Sequence, residues 1–503
     1  MGLKQWAFMQ NVDMTHQDIF EQIKGSTKYH GTALNTMAPT AIMPYYNNEL
    51  NEAQILIAVG DAIWKKTFGA NEFTSLKVGL LPNQIENHVD ISNKKYIAHP
   101  DGILEYDGIS SIIKISNGPR IRDIVYSRET NRCFALDADI PNNILFTDDL
   151  TTTGGVPLIW NPLNASIVPP TDGDNIEKLA FLRGRLVIFM TNSTWIEYVN
   201  GNPLNWRYEK SPSRIGFIAP KTIRQVGAEF WGLGFSPANG IGVYAYNESG
   251  QFRLLSYDIE NDLKRINKNK IKNACAEFVD NIYKLSVAMD SDIENETTFH
   301  FDVINVNQET QQPNIYGPHT YGFNCSAALD TKRFNGEHLF GKSYQGGSWI
   351  FKVEDVMTQY GTGITDDGEL ISTILLSPIY TDEGEYDETW SKRYTRLFTY
   401  FPSQGSWTCR TEVFTDYKSQ ADIDFDEFME GNNFTLDTMF LGEDAPEIEG
   451  LSRRIKLMNL KGKTVQFKFS NTIINTKAVF DSFFYDSKPV SRHKEAQRVA
   501  LPV

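Results

Sequence analysis

Arg185-Leu186-Val187-Ile188-Phe189-Met190-Thr191-Asn192-Ser193-Thr194-Trp195-Ile196-Glu197-Tyr198 is the stretch whose reading decides the fold. An apolar run, a turn at Asn192 and Ser193, and a short alternating run carrying aromatics read as two strands of a hairpin. The second half of this unit, a turn residue or two followed by an alternating strand with an aromatic, recurs along the chain. It is found at Gly60-Asp61-Ala62-Ile63-Trp64, Asp101-Gly102-Ile103-Leu104-Glu105-Tyr106, Asn142-Asn143-Ile144-Leu145-Phe146, Asn239-Gly240-Ile241-Gly242-Val243-Tyr244, Thr298-Phe299-His300-Phe301 and Gly347-Ser348-Trp349-Ile350-Phe351. Each copy follows another apolar run, as Ile55-Leu56-Ile57-Ala58-Val59 precedes Gly60.

Successive copies lie roughly 40 to 60 residues apart, close to the period of a β-propeller blade. A lone four-stranded sheet cannot bury both faces. Sheets stacked around a ring bury each face on a neighbour and leave only short edges. The chain therefore reads as all-β: a β-propeller over 53–357, with about seven blades and six or eight as alternatives, followed by a C-terminal β-sandwich-like domain. A run of unrelated hairpins in a large sandwich, or in two small β domains, stays open beside that reading.

Working outward, 1–52 reads as a polar N-terminal arm with one weak helical patch from Gln17 to Lys24. Between Tyr257 and Lys272, Ile259, Leu263 and Ile266 fall at helical intervals and predict one short inserted helix. The Gly361-Thr362-Gly363 and Asp366-Asp367-Gly368 segment reads as a linker. The domain over 358–487 then shows clearer alternation, as in Val465-Gln466-Phe467-Lys468-Phe469, the pattern of strands with one solvated face. Residues 488–503 are polar and basic without periodicity, and read as a tail that orders against a partner.

The 503 residues allow two or more domains, and 31 Phe, 22 Tyr and 9 Trp favour strands over helices. With 48 basic against 63 acidic side chains the formal charge is −15, which argues against a sequence-reading nucleic-acid binder because phosphate contacts need a basic footprint. Cys133, Cys275, Cys325 and Cys409 have no short spacing, so they read as reduced core residues rather than a disulfide framework or zinc site. No basic-then-apolar leader and no run of about 20 apolar residues occurs, so the expectation is a cytosol-made, unanchored protein.

Active-site signatures are missing from the sequence. Gly232-Leu233-Gly234 lacks the third glycine of a dinucleotide loop, and no phosphate-binding loop, nucleophile elbow or His-Glu-x-x-His motif occurs. The eight histidines show no metal-like pairing. Two acidic runs, Asp290-Ser291-Asp292-Ile293-Glu294-Asn295-Glu296 and Asp422-Ile423-Asp424-Phe425-Asp426-Glu427, place carboxylates where a loop can converge on calcium, but neither has the EF-hand glycine and terminal glutamate. Hydrated turns are their plainer reading. Lys264, Arg265, Lys268, Lys270 and Lys272 form the densest basic cluster, read as a solvated helix end or as a patch for an acidic neighbour. The expectation is a non-enzyme with no catalytic, cofactor-binding or metal residues and no cofactor.

One resemblance adds a function. The order from Leu186 to Glu260, with Ser193-Thr194-Trp195-Ile196-Glu197-Tyr198, then Gly201-Asn202-Pro203, Arg214-Ile215-Gly216, Glu229-Phe230-Trp231-Gly232-Leu233-Gly234 and Asp258-Ile259-Glu260, resembles the packaged-DNA stabilisation and tail-nozzle proteins of short-tailed bacteriophages. Tyr283 to Val303, Trp390-Ser391-Lys392-Arg393-Tyr394-Thr395-Arg396-Leu397 and Arg453-Arg454-Ile455-Lys456-Leu457 extend it more loosely. The resemblance implies a structural tail protein of the virion, made in the bacterial cytoplasm. It implies a homo-oligomer, a hexameric ring below the portal and head-tail adaptor, that meets other tail proteins (fibres or spikes, a tail plug) and the host surface. Genomic DNA passes through its channel without sequence-specific binding and is retained until ejection. A host-glycan-binding tail module and a polysaccharide-cleaving tail enzyme are the competing expectations; the latter needs two carboxyls about 5 to 9.5 Å apart across a sugar site.

Overall fold

The computed structural model describes residues 8–14, 20–85, 87–116, 118–150, 160–161, 163–168, 174–306, 312–354, 358–359, 369–370, 373–377, 390–402, 407–416, 418–419, 425–429, 451–462, 464–471, 479–480 and 482–492. The regular elements of the described chain are nearly all strands, and the chain divides into two compact units. One comprises 26–315 and 321–353; the other comprises 1–25, 316–320 and 354–503.

In the first unit seven sheets follow one another along the chain, six of four strands and one of five. Sheet 1 runs Pro39–Asn47, Glu52–Val59, Ala62–Thr67, Thr74–Lys77; sheet 2 runs His88–Ile91, Lys94–Ile97, Leu104–Tyr106, Ile113–Lys114. Sheet 3 is Ile121–Ser127, Arg132–Asp137, Asn143–Phe146, Ala165–Ile167, and sheet 4 is Ile176–Leu182, Arg185–Met190, Thr194–Tyr198, Arg207–Lys210. In sheet 5, Gly216–Phe217 and Arg224–Val226 both pair with Glu229–Ser236, which is followed by Gly240–Tyr246 and Phe252–Leu254. Sheet 6 is Cys275–Val279, Ile282–Val287, Thr297–Val306, Pro313–His319. Sheet 7 is Cys325–Ala328, His338–Tyr344 and Gly347–Glu354, and its fourth strand is Gly25–Lys28 from the other end of the sequence.

The turns that set these registers have a shared chemistry. Ser92-Asn93, Arg183-Gly184, Asp280-Asn281 and Gln345-Gly346 each link adjacent strands with both residues at positive φ. That is the geometry whose twist matches paired strands. The resulting alternation buries both faces of the central strands. Leu186, Ile188 and Met190 pack with Phe134, Leu136 and Ile144 of sheet 3, while Val187 and Phe189 pack with Phe217, Phe230 and Tyr244 of sheet 5. A strand buried on both sides reads as an unbroken apolar run, which explains Leu186–Met190.

The same sharing joins sheets 1 and 2 through Leu56 and Ile97, 2 and 3 through Tyr96 and Ala135, and 5 and 6 through Leu233 and Tyr283. Ile42, Ile55 and Ile57 of sheet 1 share a cluster with Leu339 and Ile350 of sheet 7. Between sheets 6 and 7 the first strands lie side by side, and Lys342 pairs with Glu296. Polar ties run alongside: Tyr106 donates to Gln54 at 2.7 Å, the Leu179 N–H donates to Asp123 at 2.8 Å, and Tyr283 donates to the Thr222 carbonyl at 2.8 Å. Each buried side chain of Leu, Ile or Phe size contributes about 1.5–3 kcal/mol, so these shared layers are the main stabilising term.

The N-terminal stretch expected as an arm over 1–52 is placed differently. Residues 39–47 are the first strand of sheet 1, and Gly25–Lys28 completes sheet 7. Pro44 fits because this strand is at the sheet edge, where a missing N–H breaks no ladder bond. Within the Gln17–Lys24 patch expected as helix, Phe20–Gln22 is a strand paired with Val12–Met14, since pairing satisfies the backbone better than an isolated turn. The inserted helix is present but short, Glu260–Leu263, after a 3-10 turn at Tyr257–Ile259.

In the second unit, the strands Trp390–Pro402, Leu451–Gly462 and Ser482–Arg492 form one antiparallel sheet. A second, six-stranded sheet is centred on Trp407–Thr415 and Val465–Asn471. Leu397, Leu460 and Phe483 of the former share a core with Val413, Phe467 and Phe469 of the latter. Lys488–Arg492, expected in the tail, belong to the last strand; 493–503, the linker at 361–368 and the acidic stretch at 443–449 lie outside the described residues.

Candidate functional site

Strands from six of the seven sheets line a cavity of about 290 Å³. Thr40, Ala41, Ile42 and Pro44 reach it from sheet 1, His88 from sheet 2, Lys178 from sheet 4, Arg224 from sheet 5, Glu277 from sheet 6 and Ser326 from sheet 7. Two of these strands begin with a register shift, at Pro39/Ala41 and at Ile176/Lys178. A bulge of this kind re-aims the side chains beside it. Lys221 joins the lining from the 3-10 turn Pro220–Thr222.

The charged groups are held by specific partners. Lys178 Nζ lies 3.3 Å from the Pro220 carbonyl and 3.5 Å from that of Ile223. Arg224 Nε lies 3.6 Å from Glu277 Oε2. Burial pushes the Glu277 carboxyl up, against the pull of Arg224. His88 is driven well below the usual imidazole range, first by burial and then by the charges of Lys95, Arg224 and Lys178, so it is neutral near pH 7. Its Nδ1 is buried without a hydrogen-bond partner. The cavity thus carries three cationic side chains and one carboxylate in a chain whose formal charge is −15.

A second cavity of about 390 Å³ is lined by Leu182, Arg185, Ile196 and Tyr246 among others. Beside it the Tyr198 ring faces the guanidinium groups of Arg185 and Arg207 at 5.4 and 4.8 Å.

The residues weighed from sequence fall elsewhere. Asp290 is held by Arg265 at 2.6 Å and Glu296 by Lys342, so two carboxylates of the first acidic run are neutralised by bases within the unit. Of the second run, Asp422 and Asp424 lie outside the described residues and Phe425–Met429 is a strand. In the basic cluster, Lys264 pairs with Glu260 at 2.8 Å and Lys272 with Glu177 at 2.9 Å. His30 bridges backbone groups, with Nδ1 2.7 Å from the Thr32 carbonyl and Nε2 accepting the Ile350 N–H at 3.0 Å. Lys178, Lys221, Arg224 and Glu277 were not singled out from sequence. Lys221 and Arg224 are near neighbours, but Lys178 and Glu277 stand far from them in the sequence, and nothing short of the sheet order brings the four together.

No family model matches the chain, and no curated protein matches it. Among solved structures, the extracellular domain of a one-component system from B. thetaiotaomicron aligns with 71% of this chain at TM-score 0.33 and 9% identity. The chain spans 40% of that structure's length, and a likeness at this TM-score carries no argument about fold or function.

Proposed function

We propose that this chain is a structural component of a short-tailed bacteriophage tail. In this reading its seven sheets close into a seven-bladed propeller, and in the second unit the sheet of Trp390–Pro402 and the sheet of Trp407–Thr415 form a sandwich. The closure is supported by Gly25–Lys28 completing sheet 7 and by the apolar cluster that sheets 7 and 1 share. Six copies form a ring below the portal and adaptor, extend the DNA channel, and help retain and then release the genome.

The observation that carries the functional part is the Leu186–Glu260 order, whose elements lie on sheets 4 and 5 and the turn that follows them. The role is mechanical: a net negative subunit repels nucleic-acid phosphates and lets DNA slide without adhering. Ring formation requires two different, mutually complementary surfaces on each copy. Cryo-electron microscopy of particles carrying a labelled copy of this chain tests the reading. A six-fold ring at the tail is the expected result; particles that lack the polypeptide overturn it.

A further inference from the structure

We infer that the cavity between sheets 4 and 5 is a binding site for one small aromatic carboxylate, its ring lying against Leu182, Val187 and Ile196 and its carboxylate meeting the Tyr246 hydroxyl and the Arg185 guanidinium. This goes beyond the tail role and does not depend on it.

The walls belong to elements already fixed in the fold. Leu182 ends the first strand of sheet 4, Val187 and Ile196 stand on its second and third strands, and Tyr246 ends the Gly240–Tyr246 strand of sheet 5. Glu248 and Ser249 line the cavity from the loop that follows. Asn247 sets that loop, its Oδ1 accepting from the Ser249 and Gln251 N–H groups at 3.0 Å each. The volume of about 390 Å³ exceeds the roughly 150 Å³ in which an apolar cavity holds benzene, and the space is partly open to solvent, so a ligand can enter without parting the sheets.

One buried polar group here lacks a partner. The Tyr246 ring packs edge-on against Phe189 and tilted against Phe252, and its hydroxyl is buried with no hydrogen bond from the protein. A Cβ placed at Gly250 would stand 3.9 Å from both that oxygen and Ile196 Cδ1, so the hydroxyl sits beside the wall that Ile196 forms. A buried donor left unmet is costly, and a ligand oxygen that accepts from it removes the cost.

The charge at the mouth selects the sign of the ligand. Of the lining side chains Arg183 and Arg185 are cationic and Glu248 is anionic. Arg183 pairs with the Glu248 carboxylate, whereas the Arg185 guanidinium meets the Glu248 carbonyl at 3.4 Å and the Tyr198 ring at 5.4 Å and, among the described residues, no carboxylate. Its charge acts on the Tyr246 hydroxyl, opposing the burial that pushes that group up. A carboxylate answers both groups, since its oxygens accept from an O–H and from a guanidinium fork. Leu182, Val187 and Ile196 offer no polar side-chain atom, so the body of the ligand has to be apolar, and a flat ring buries area against them.

The test is isothermal titration calorimetry of the full chain with sodium benzoate at constant ionic strength, with acetate and benzyl alcohol for comparison. Saturable binding of one benzoate per chain is expected, with acetate, which lacks the ring, and benzyl alcohol, which lacks the charge, each weaker by about ten-fold or more. Tyr246→Phe keeps the packed ring and removes only the hydroxyl, so it should fold and bind benzoate about ten-fold more weakly, and Arg185→Gln should do likewise. Lys264→Gln, at the exposed helix end, should leave binding unchanged. Absence of saturable benzoate binding overturns the assignment. Parent-like affinity in Tyr246→Phe or in Arg185→Gln also overturns it, as does acetate binding as tightly as benzoate.

Discussion

Replacing Glu197 by glutamine should change how the stability of the seven-sheet unit depends on pH. Glu197 sits on the third strand of sheet 4 with no exposed surface. Its Oε1 accepts a hydrogen bond from Ser166 Oγ at 2.8 Å, Ser166 Oγ in turn meets the Tyr208 hydroxyl, and Oε2 has no partner. Burial lifts the carboxyl from 4.5 to about 7, although the bonds with Ser166 and Tyr208 pull the other way. The folded chain therefore keeps this proton over a range in which the unfolded chain has lost it. The stabilisation this gives is complete below pH 4.5 and is lost as pH rises through about 7. At roughly 1.36 kcal/mol per pH unit, the shift amounts to about 3 kcal/mol.

Glutamine does not ionise, so the variant lacks that term. Its amide donors bring a penalty of their own where Oε2 was, about 1–3 kcal/mol, but that offset is the same at every pH. The measurement is urea unfolding of parent and Glu197→Gln, followed by tryptophan fluorescence, from about pH 5 to about pH 8. Trp195 and Trp206 flank the site in sequence and report on the same region. The stability of the parent relative to the variant should fall by about 3 kcal/mol across the window. Parallel curves would refute the claim that Glu197 is buried as an uncharged acid.

Two further outcomes follow from the same kind of reasoning. His30 needs Nδ1 protonated toward Thr32 and Nε2 bare toward the Ile350 N–H, and burial lowers its basicity from 6.5 to about 4. The unfolded chain takes up that proton first, so about 3 kcal/mol of stability should disappear as pH falls from 6.5 through about 4. His30→Gln should lose this acid sensitivity, and an undiminished acid slope in the variant counts against the neutral bridge. Cys133, Cys275, Cys325 and Cys409 are all buried, and burial raises the thiols of the first three. A disulfide reagent at about pH 8 should label none of them in the native chain and all four after denaturation; rapid labelling of the native protein would show that these layers are not closed to solvent.

What the sequence discloses and what it hides divide along one physical line. Every turn-plus-aromatic unit read from sequence lies on the third strand of one sheet, from Ala62–Thr67 in sheet 1 to Gly347–Glu354 in sheet 7. Those units were legible because their signal is local: a turn residue forces the reversal, and alternation over four or five positions sets which side chains face which neighbour. Gly25–Lys28 carries no such signal, being four residues of mixed polarity that gain a place only by pairing with Gly347–Glu354. The first strand, Pro39–Asn47, was hidden for a related reason, since its two prolines argue against a strand until its edge position is known. The charged cavity is the extreme case. Lys264 to Lys272 looked conspicuous because the basic residues adjoin one another, yet Lys264, Arg265 and Lys272 are matched by acids. Lys178, Lys221 and Arg224 looked ordinary, Lys178 standing far from the other two in the sequence. Only the succession of sheets brings it to their charges, so a search of this chain for function has to weigh charges by proximity in the fold rather than along the sequence.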